Sequence, residues 1–284
     1  MAECQVCFHH CRLKEGQTGR CLARICRDGE IVPANYGKIT ALALDPIEKK
    51  PLSRFFPGTA ILSVGSYGCN LSCPFCQNHE IAHPPVKEGL RPAVGTRSVT
   101  PEELAETAKQ TRQDGSIGLA FTYNEPLVGY EFVRDTAKLI KEAGMHTVLV
   151  TNGTAELPVL EELLPWIDAM NIDLKAFTDH FYTGLIGGSL GTVKAFVEKA
   201  AANCHVEITT LVIPHENDTE AEMEALTEYL AGINDGAGKE IPLHITRFFP
   251  RYHMTDRGPT PVETVYRLCE VAKKKMTYVY AGNV

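Results

Sequence analysis

The chain has 284 residues, 44% of them hydrophobic and 22% charged, with 28 basic against 35 acidic side chains and a formal charge of −7. This composition excludes a disordered chain, and an acidic balance without Lys/Arg blocks excludes nucleic acid as the main partner, because phosphate binding needs a basic face. No apolar run approaches the roughly 18 to 20 residues needed to cross a bilayer, and residues 1–30 lack a signal-peptide core, so a cytoplasmic protein with no membrane partner is expected.

Cysteine dominates the beginning of the chain. Cys4, Cys7, Cys11 and Cys21 give C-x2-C-x3-C-x9-C, with His9, His10 and Cys26 as spare donors. A disulfide framework would be reduced in the cytosol, which makes metal ligation the better reading. Four thiolates at such spacings can close a structural zinc site or hold an auxiliary Fe-S cluster, and the spacing does not separate the two. Residues 1–58 are expected to form a small irregular Cys-rich lobe with its connecting segment, held by its ligands rather than by a core.

From residue 60 onward, short β-branched runs alternate with helical patterns. The stretches 61–67, 117–122, 146–151, 169–174, 206–213 and 243–248 read as strands buried on both faces, with 278–281 as a seventh candidate. Thr100, Thr219 and Thr260 each stand where a capping hydroxyl starts a helix. Regular alternation implies βαβ units around a parallel sheet, and six strands predict an incomplete (β/α)6 TIM-like barrel over residues 59–284. Cys204 and Cys269 fall in strand and helix patterns and read as core residues.

The loop after the first of these strands is Gly68-Cys69-Asn70-Leu71-Ser72-Cys73-Pro74-Phe75-Cys76. Three thiolates at C-x3-C-x2-C spacing can hold three irons of a [4Fe-4S] cube and leave the fourth iron open. The alternative on these residues alone is a structural zinc site completed by His79.

With an aromatic residue, Phe75, just before the last cysteine, this loop resembles that of the radical SAM enzymes. The chain from Cys4 onward resembles, more closely, the AmmeMemoRadiSam group, relatives of the glycyl-radical-enzyme activases such as the pyruvate formate-lyase activating enzymes. The likeness also runs through Asn35-Tyr36-Gly37-Lys38, Leu44-Asp45-Pro46-Ile47-Glu48-Lys49-Lys50-Pro51, Phe121-Thr122-Tyr123-Asn124-Glu125-Pro126, Thr151-Asn152-Gly153, Asp173-Leu174-Lys175, Thr210-Leu211-Val212-Ile213-Pro214 and Met254-Thr255-Asp256-Arg257. The resemblance implies that Cys69, Cys73 and Cys76 carry a catalytic [4Fe-4S] cluster whose open iron chelates S-adenosylmethionine. It also implies a low-potential electron donor of the flavodoxin or ferredoxin type, and Memo-type and AMMECR-type proteins as candidate partners.

Cofactor contacts are expected from Glu125, Asn152, Asp173, Lys175 and Thr209, which fall at or near strand ends, where parallel barrels gather their active sites. Tyr123 and Asn124 stand where the related element has glycines, and Val150 stands where an acid often precedes Thr-Asn-Gly. Arg247, Tyr252, His253 and Arg257 read either as contacts for an anionic substrate or as a solvated loop. Residues 30–58 either cross the barrel mouth, offering Lys49 and Lys50 to an anionic ligand, or simply link lobe to barrel. Two activities follow: hydrogen abstraction from a small-molecule substrate, or activation of a partner protein by a glycyl radical. A non-catalytic zinc-binding interaction module is the third reading.

Overall fold

The computed structural model describes residues 1–87 and 91–284. Its main sheet has eight strands: Ala41–Pro46 (β1), Ala60–Gly65 (β2), Ser116–Phe121 (β3), His146–Thr151 (β4), Ala169–Asp173 (β5), His205–Val212 (β6), Leu243–Arg247 (β7) and Val279–Gly282 (β8). They pair in sequence order from β1 to β8, antiparallel between β1 and β2 and parallel elsewhere. All six expected strands and the seventh candidate are therefore present in an open, barrel-like α/β sheet.

Between the strands run the helices Pro101–Gln110 (α1), Tyr130–Glu142 (α2), Leu157–Leu163 (α3), Leu190–Ala201 (α4), Glu220–Gly232 (α5) and Val262–Ala272 (α6). Each covers the sheet with an apolar face, as Leu104, Ala105 and Ala108 do on α1. Thr100 forms a complete capping box with Glu103, and Thr219 accepts from the Glu222 amide. Thr260 differs from expectation: its hydroxyl donates to the Val212 carbonyl (2.6 Å), tying β6 to the entry of α6 instead of capping the helix. No described helix is long and apolar enough to cross a membrane.

Residues 41–58 depart from the sequence reading. A boundary at residue 58 would cut the main sheet, because β1 pairs with β2 along its whole length. The pairing of Pro46 with Ala60 carries the following turn to the N-terminal end of the strands, away from the rim. There Ile47 and Leu52 are fully buried against Ile61, Ala120, Val148 and Ala169 and plug the barrel from below. The amides of Ser53 and Arg54 donate to the buried Glu207 carboxylate at 2.9 and 2.7 Å. Lys50 is buried against Asp45 (2.9 Å), and Lys49 lies on the other oxygen of that carboxylate at 3.4 Å. The segment closes the floor, not the mouth, and both lysines are already paired.

The Cys-rich part is built from two short hairpins, Ala2–Glu3 with Arg12–Leu13 and Arg24–Arg27 with Glu30–Pro33. It leans on the C-terminal rim through a bridge between Cys7 and Ala155, the Glu156 amide on the Val6 carbonyl (2.9 Å), and a two-pronged Arg24 contact to Glu131 at 2.6 and 2.7 Å.

Candidate active site

The three-cysteine loop leaves β2 at the C-terminal rim. Gly68 has φ +95°, and a Cβ there would fall 2.4 Å from the Cys21 carbonyl, so only glycine lets the N-terminal lobe press so closely on this loop. The Ser72 amide donates to the Ile186 carbonyl (2.8 Å), while Pro74 accepts the amides of His253 (2.8 Å) and Met254 (3.0 Å). Burial pushes the thiols up, Cys73 to about 11 and Cys69 well above the ordinary value. A cluster would replace those protons with iron.

His79 is not placed as a fourth ligand. Its Nδ1 lies 3.2 Å from the Cys76 carbonyl, and its ring stacks on Tyr252 at 4.3 Å. Among the described residues no group of three or more His, Cys, Asp or Glu side chains stands in a metal-holding arrangement, so the thiols would draw together around their metal. The donor set fits: three thiols in one loop, close enough for the charges of Cys73 and Cys76 to act on Cys69.

Polar groups from neighbouring strand ends surround the loop. The Asn152 side chain donates to Asn70 Oδ1 (3.0 Å) and lies 3.7 Å from Cys69 Sγ. Its position is set by Glu125, whose buried carboxylate accepts from the Asn152 amide (2.7 Å), the Thr151 hydroxyl (2.8 Å) and the Leu127 amide (3.0 Å). Burial still raises the Glu125 carboxyl, to about 7, against those bonds. In this structure Glu125 shapes the Asn152 turn and caps the following 3-10 turn.

Lys175 and Asp173 form a rim pair at 2.8 Å, and the charges of both act on the Cys73 and Cys76 thiols. Burial opposes the Lys175 charge, but Asp173 and Cys73 outweigh it and hold the ammonium above its usual range. Thr209 lies within β6, level in register with Asp173 at the end of β5, and its hydroxyl accepts from Asn171 (2.9 Å).

Tyr123 takes φ +72°, the left-handed conformation that suits glycine, so this turn keeps a glycine-like backbone without glycine. Its ring lies where a Cβ on Gly65 would come within 2.8 Å, and its hydroxyl donates to Asp45 (2.8 Å). Asn124 accepts from the Ser66 amide (2.9 Å) and donates to the Gly68 carbonyl (3.0 Å), which joins this turn to the cysteine loop. Of the basic loop, Arg247 donates to the Thr260 carbonyl (2.6 Å) and Arg257 pairs with Glu216 (2.6 Å) and Asp256 (2.9 Å). Tyr252 and His253 back the cysteine loop. Sequence reasoning missed Asn70 and Tyr182. Asn70 was findable as a polar residue between two ligands; Tyr182, whose hydroxyl accepts the Lys175 amide (3.1 Å), left no local signal.

Residues 63–230 match the Radical SAM superfamily. The chain belongs to that superfamily. Membership implies a [4Fe-4S] cluster and S-adenosylmethionine, for which the rim described above has fitting donors. The chain is 39% identical over 283 residues to the uncharacterized protein MJ0808 of Methanocaldococcus jannaschii, covering 99% of this chain and 81% of that protein. It is 29% identical over 170 residues to the pyruvate formate-lyase 1-activating enzyme of Escherichia coli, 57% of this chain and 65% of that enzyme. In fold it is similar to SuiB of Streptococcus suis, solved with S-adenosylmethionine bound, at TM-score 0.57 and 13% identity over 77% of this chain and 48% of that one.

Proposed function

We propose that this radical SAM protein is a cytoplasmic enzyme of the AmmeMemoRadiSam type that cleaves S-adenosylmethionine reductively and abstracts hydrogen from a small-molecule substrate. The observation that carries the reading is the convergence of Asn152, Asp173 and Lys175 on the loop of Cys69, Cys73 and Cys76. When bound, the cluster supplies one electron, from a flavodoxin- or ferredoxin-type donor, that breaks a carbon-sulfur bond of the sulfonium and yields methionine and a 5'-deoxyadenosyl radical.

Each side chain has its own task. The three cysteines would hold the cluster, Lys175 would meet the cofactor carboxylate and Asp173 a polar edge, while Glu125 holds the Asn152 turn against Cys69. Below them the barrel interior carries a polar layer, Asn171, Thr209 and the Lys50–Asp45–Tyr123 group, over the apolar plug of Ile47 and Leu52. A floor closed in this way suits a small polar substrate and shields a radical from water. Likeness to the Escherichia coli activating enzyme favours the second reading, in which a partner protein receives the radical.

Anaerobic reaction with reductant and S-adenosylmethionine, with and without Memo-type and AMMECR-type proteins, tests both. Deuterium passing from a labelled metabolite into 5'-deoxyadenosine is the expected result. A glycine-centred doublet in electron paramagnetic resonance on a partner protein would replace the first reading with the second. Cys73→Ala is expected to lose the loop's iron and all cleavage, and normal 5'-deoxyadenosine formation by that variant would refute the cluster assignment.

A further inference from the structure

A second group of cysteines lies outside the chemistry above. Cys4, Cys7, Cys11 and Cys21 line one small cavity together with Asn70 and Val128. We propose that these four thiols bind a single zinc ion and that the closed site braces Asn70, and through it the catalytic loop.

The spare donors are engaged elsewhere, including His9, which also lines the cavity. Cys26 is buried in its own hairpin with its thiol 3.9 Å from the Glu15 carboxylate. His10 lies 3.2 Å from Glu156, and His9 Nε2 lies 2.8 Å from the Asn70 carbonyl. The remaining complement is four sulfurs, the number that closes a tetrahedral zinc site. Arg20 and Arg24 line the same cavity, and their positive charge suits a site of net charge −2.

The cavity has room for about one ion-sized sphere, which suits a single ion better than a cluster. A [4Fe-4S] cube would have to displace Asn70 and Val128, which are only 3% and 1% exposed. The lobe has little core of its own, so closing four ligands from residues 4 to 21 around one ion supplies the fold with what its side chains do not.

Asn70 links this site to the catalytic one. Its carbonyl lies 2.8 Å from His9 Nε2, two residues from Cys7, and its side chain donates to the Thr154 hydroxyl (2.8 Å), while its Oδ1 accepts from Asn152, the residue beside Cys69. The Cys21 carbonyl presses on Gly68, next to Cys69. An ion that fixes Cys7 and Cys21 therefore fixes two neighbours of the first catalytic cysteine.

The test measures zinc, iron and acid-labile sulfide per chain after anaerobic purification of three full-length proteins. Wild type is expected to hold one zinc beside the loop's iron. A variant with Cys69, Cys73 and Cys76 all changed to Ala is expected to keep its zinc and lose its iron. Cys21→Ser is expected to lose zinc and keep iron, with an altered electron paramagnetic resonance signature of the reduced cluster. Iron and sulfide persisting in the triple variant would overturn zinc as the metal. Zinc lost from Cys21→Ser with an unchanged cluster signature would overturn the bracing role. Should Cys21→Ser not fold, cobalt(II) added to the metal-stripped triple variant decides: intense tetrahedral thiolate bands support the site, and a weak octahedral spectrum overturns it. None of these readouts depends on cleavage of S-adenosylmethionine, so the outcome is independent of the proposed reaction.

Discussion

Lys175 is the side chain at the rim whose removal is most informative. Its ammonium pairs with the Asp173 carboxylate, so Lys175→Met removes one ion pair and the positive charge beside the cysteine loop. The expected result is a loss of about 1–3 kcal/mol in S-adenosylmethionine binding, roughly 5- to 150-fold, with iron content unchanged. Isothermal titration under anaerobic conditions measures it, and unaltered affinity would place the cofactor elsewhere. Glu125 acts through its neighbours instead. In Glu125→Gln an NH2 group replaces the oxygen that accepts the Asn152 amide, leaving donor against donor in a buried turn. Thermal unfolding is expected to show a cost of about 1–3 kcal/mol, accompanied by poorer iron retention as the Asn152 contact to Cys69 shifts. Full stability with full iron would show that the turn does not need its acid.

At the level of elements, what was readable in the sequence depended on how local the cause was. The parallel strands announced themselves because burial on both faces demands an unbroken apolar run, and the cysteine loop because its ligands are adjacent. β1 was hidden: an edge strand with Leu44 40% exposed and proline at its end carries no such run. The end of β6 could not be located from pattern alone: the strand runs to Val212, three residues past Thr209, which is level with the last residue of β5. The turn at Tyr123 could not be foreseen either, since its positive φ is held by partners far along the chain, the Asp45 carboxylate and the Asn78 side chain on the Tyr123 carbonyl. The plug was equally illegible, because only the β1–β2 pairing sends it to the floor. Leu52→Ala is expected to cost about 2–5 kcal/mol in denaturant unfolding while the loop's iron content stays the same. Parallel loss of iron would mean that the floor and the rim are coupled.

At the base of the molecule one buried carboxylate, Glu207, ties the segment that follows the apolar plug to β6. Burial opposes ionisation of Glu207, yet His205, His244 and the amides of Arg54 and Ser53 together hold its carboxyl down at about 2, against an ordinary 4.5. Its folded value lies below its unfolded one, so the stabilisation is complete above about pH 4.5 and drains away as pH falls toward 2. The contribution is on the order of 3 kcal/mol. Glu207→Gln is expected to flatten the acid limb of a stability–pH curve, and an unchanged limb would assign acid sensitivity to other groups. At the opposite end of the barrel, the ties of the N-terminal lobe have a consequence for how the chain is made. Cys7 bridges Ala155, and Arg24 reaches Glu131 across 107 residues of sequence. The lobe therefore cannot complete its docking until the chain through Ala155 has been made, although its contacts with Gly68 and Asn70 become available earlier. Until then the lobe's five cysteines lack part of the cover that the finished rim gives them, and an ion closing four of them early would guard the most oxidisable stretch of the newborn chain.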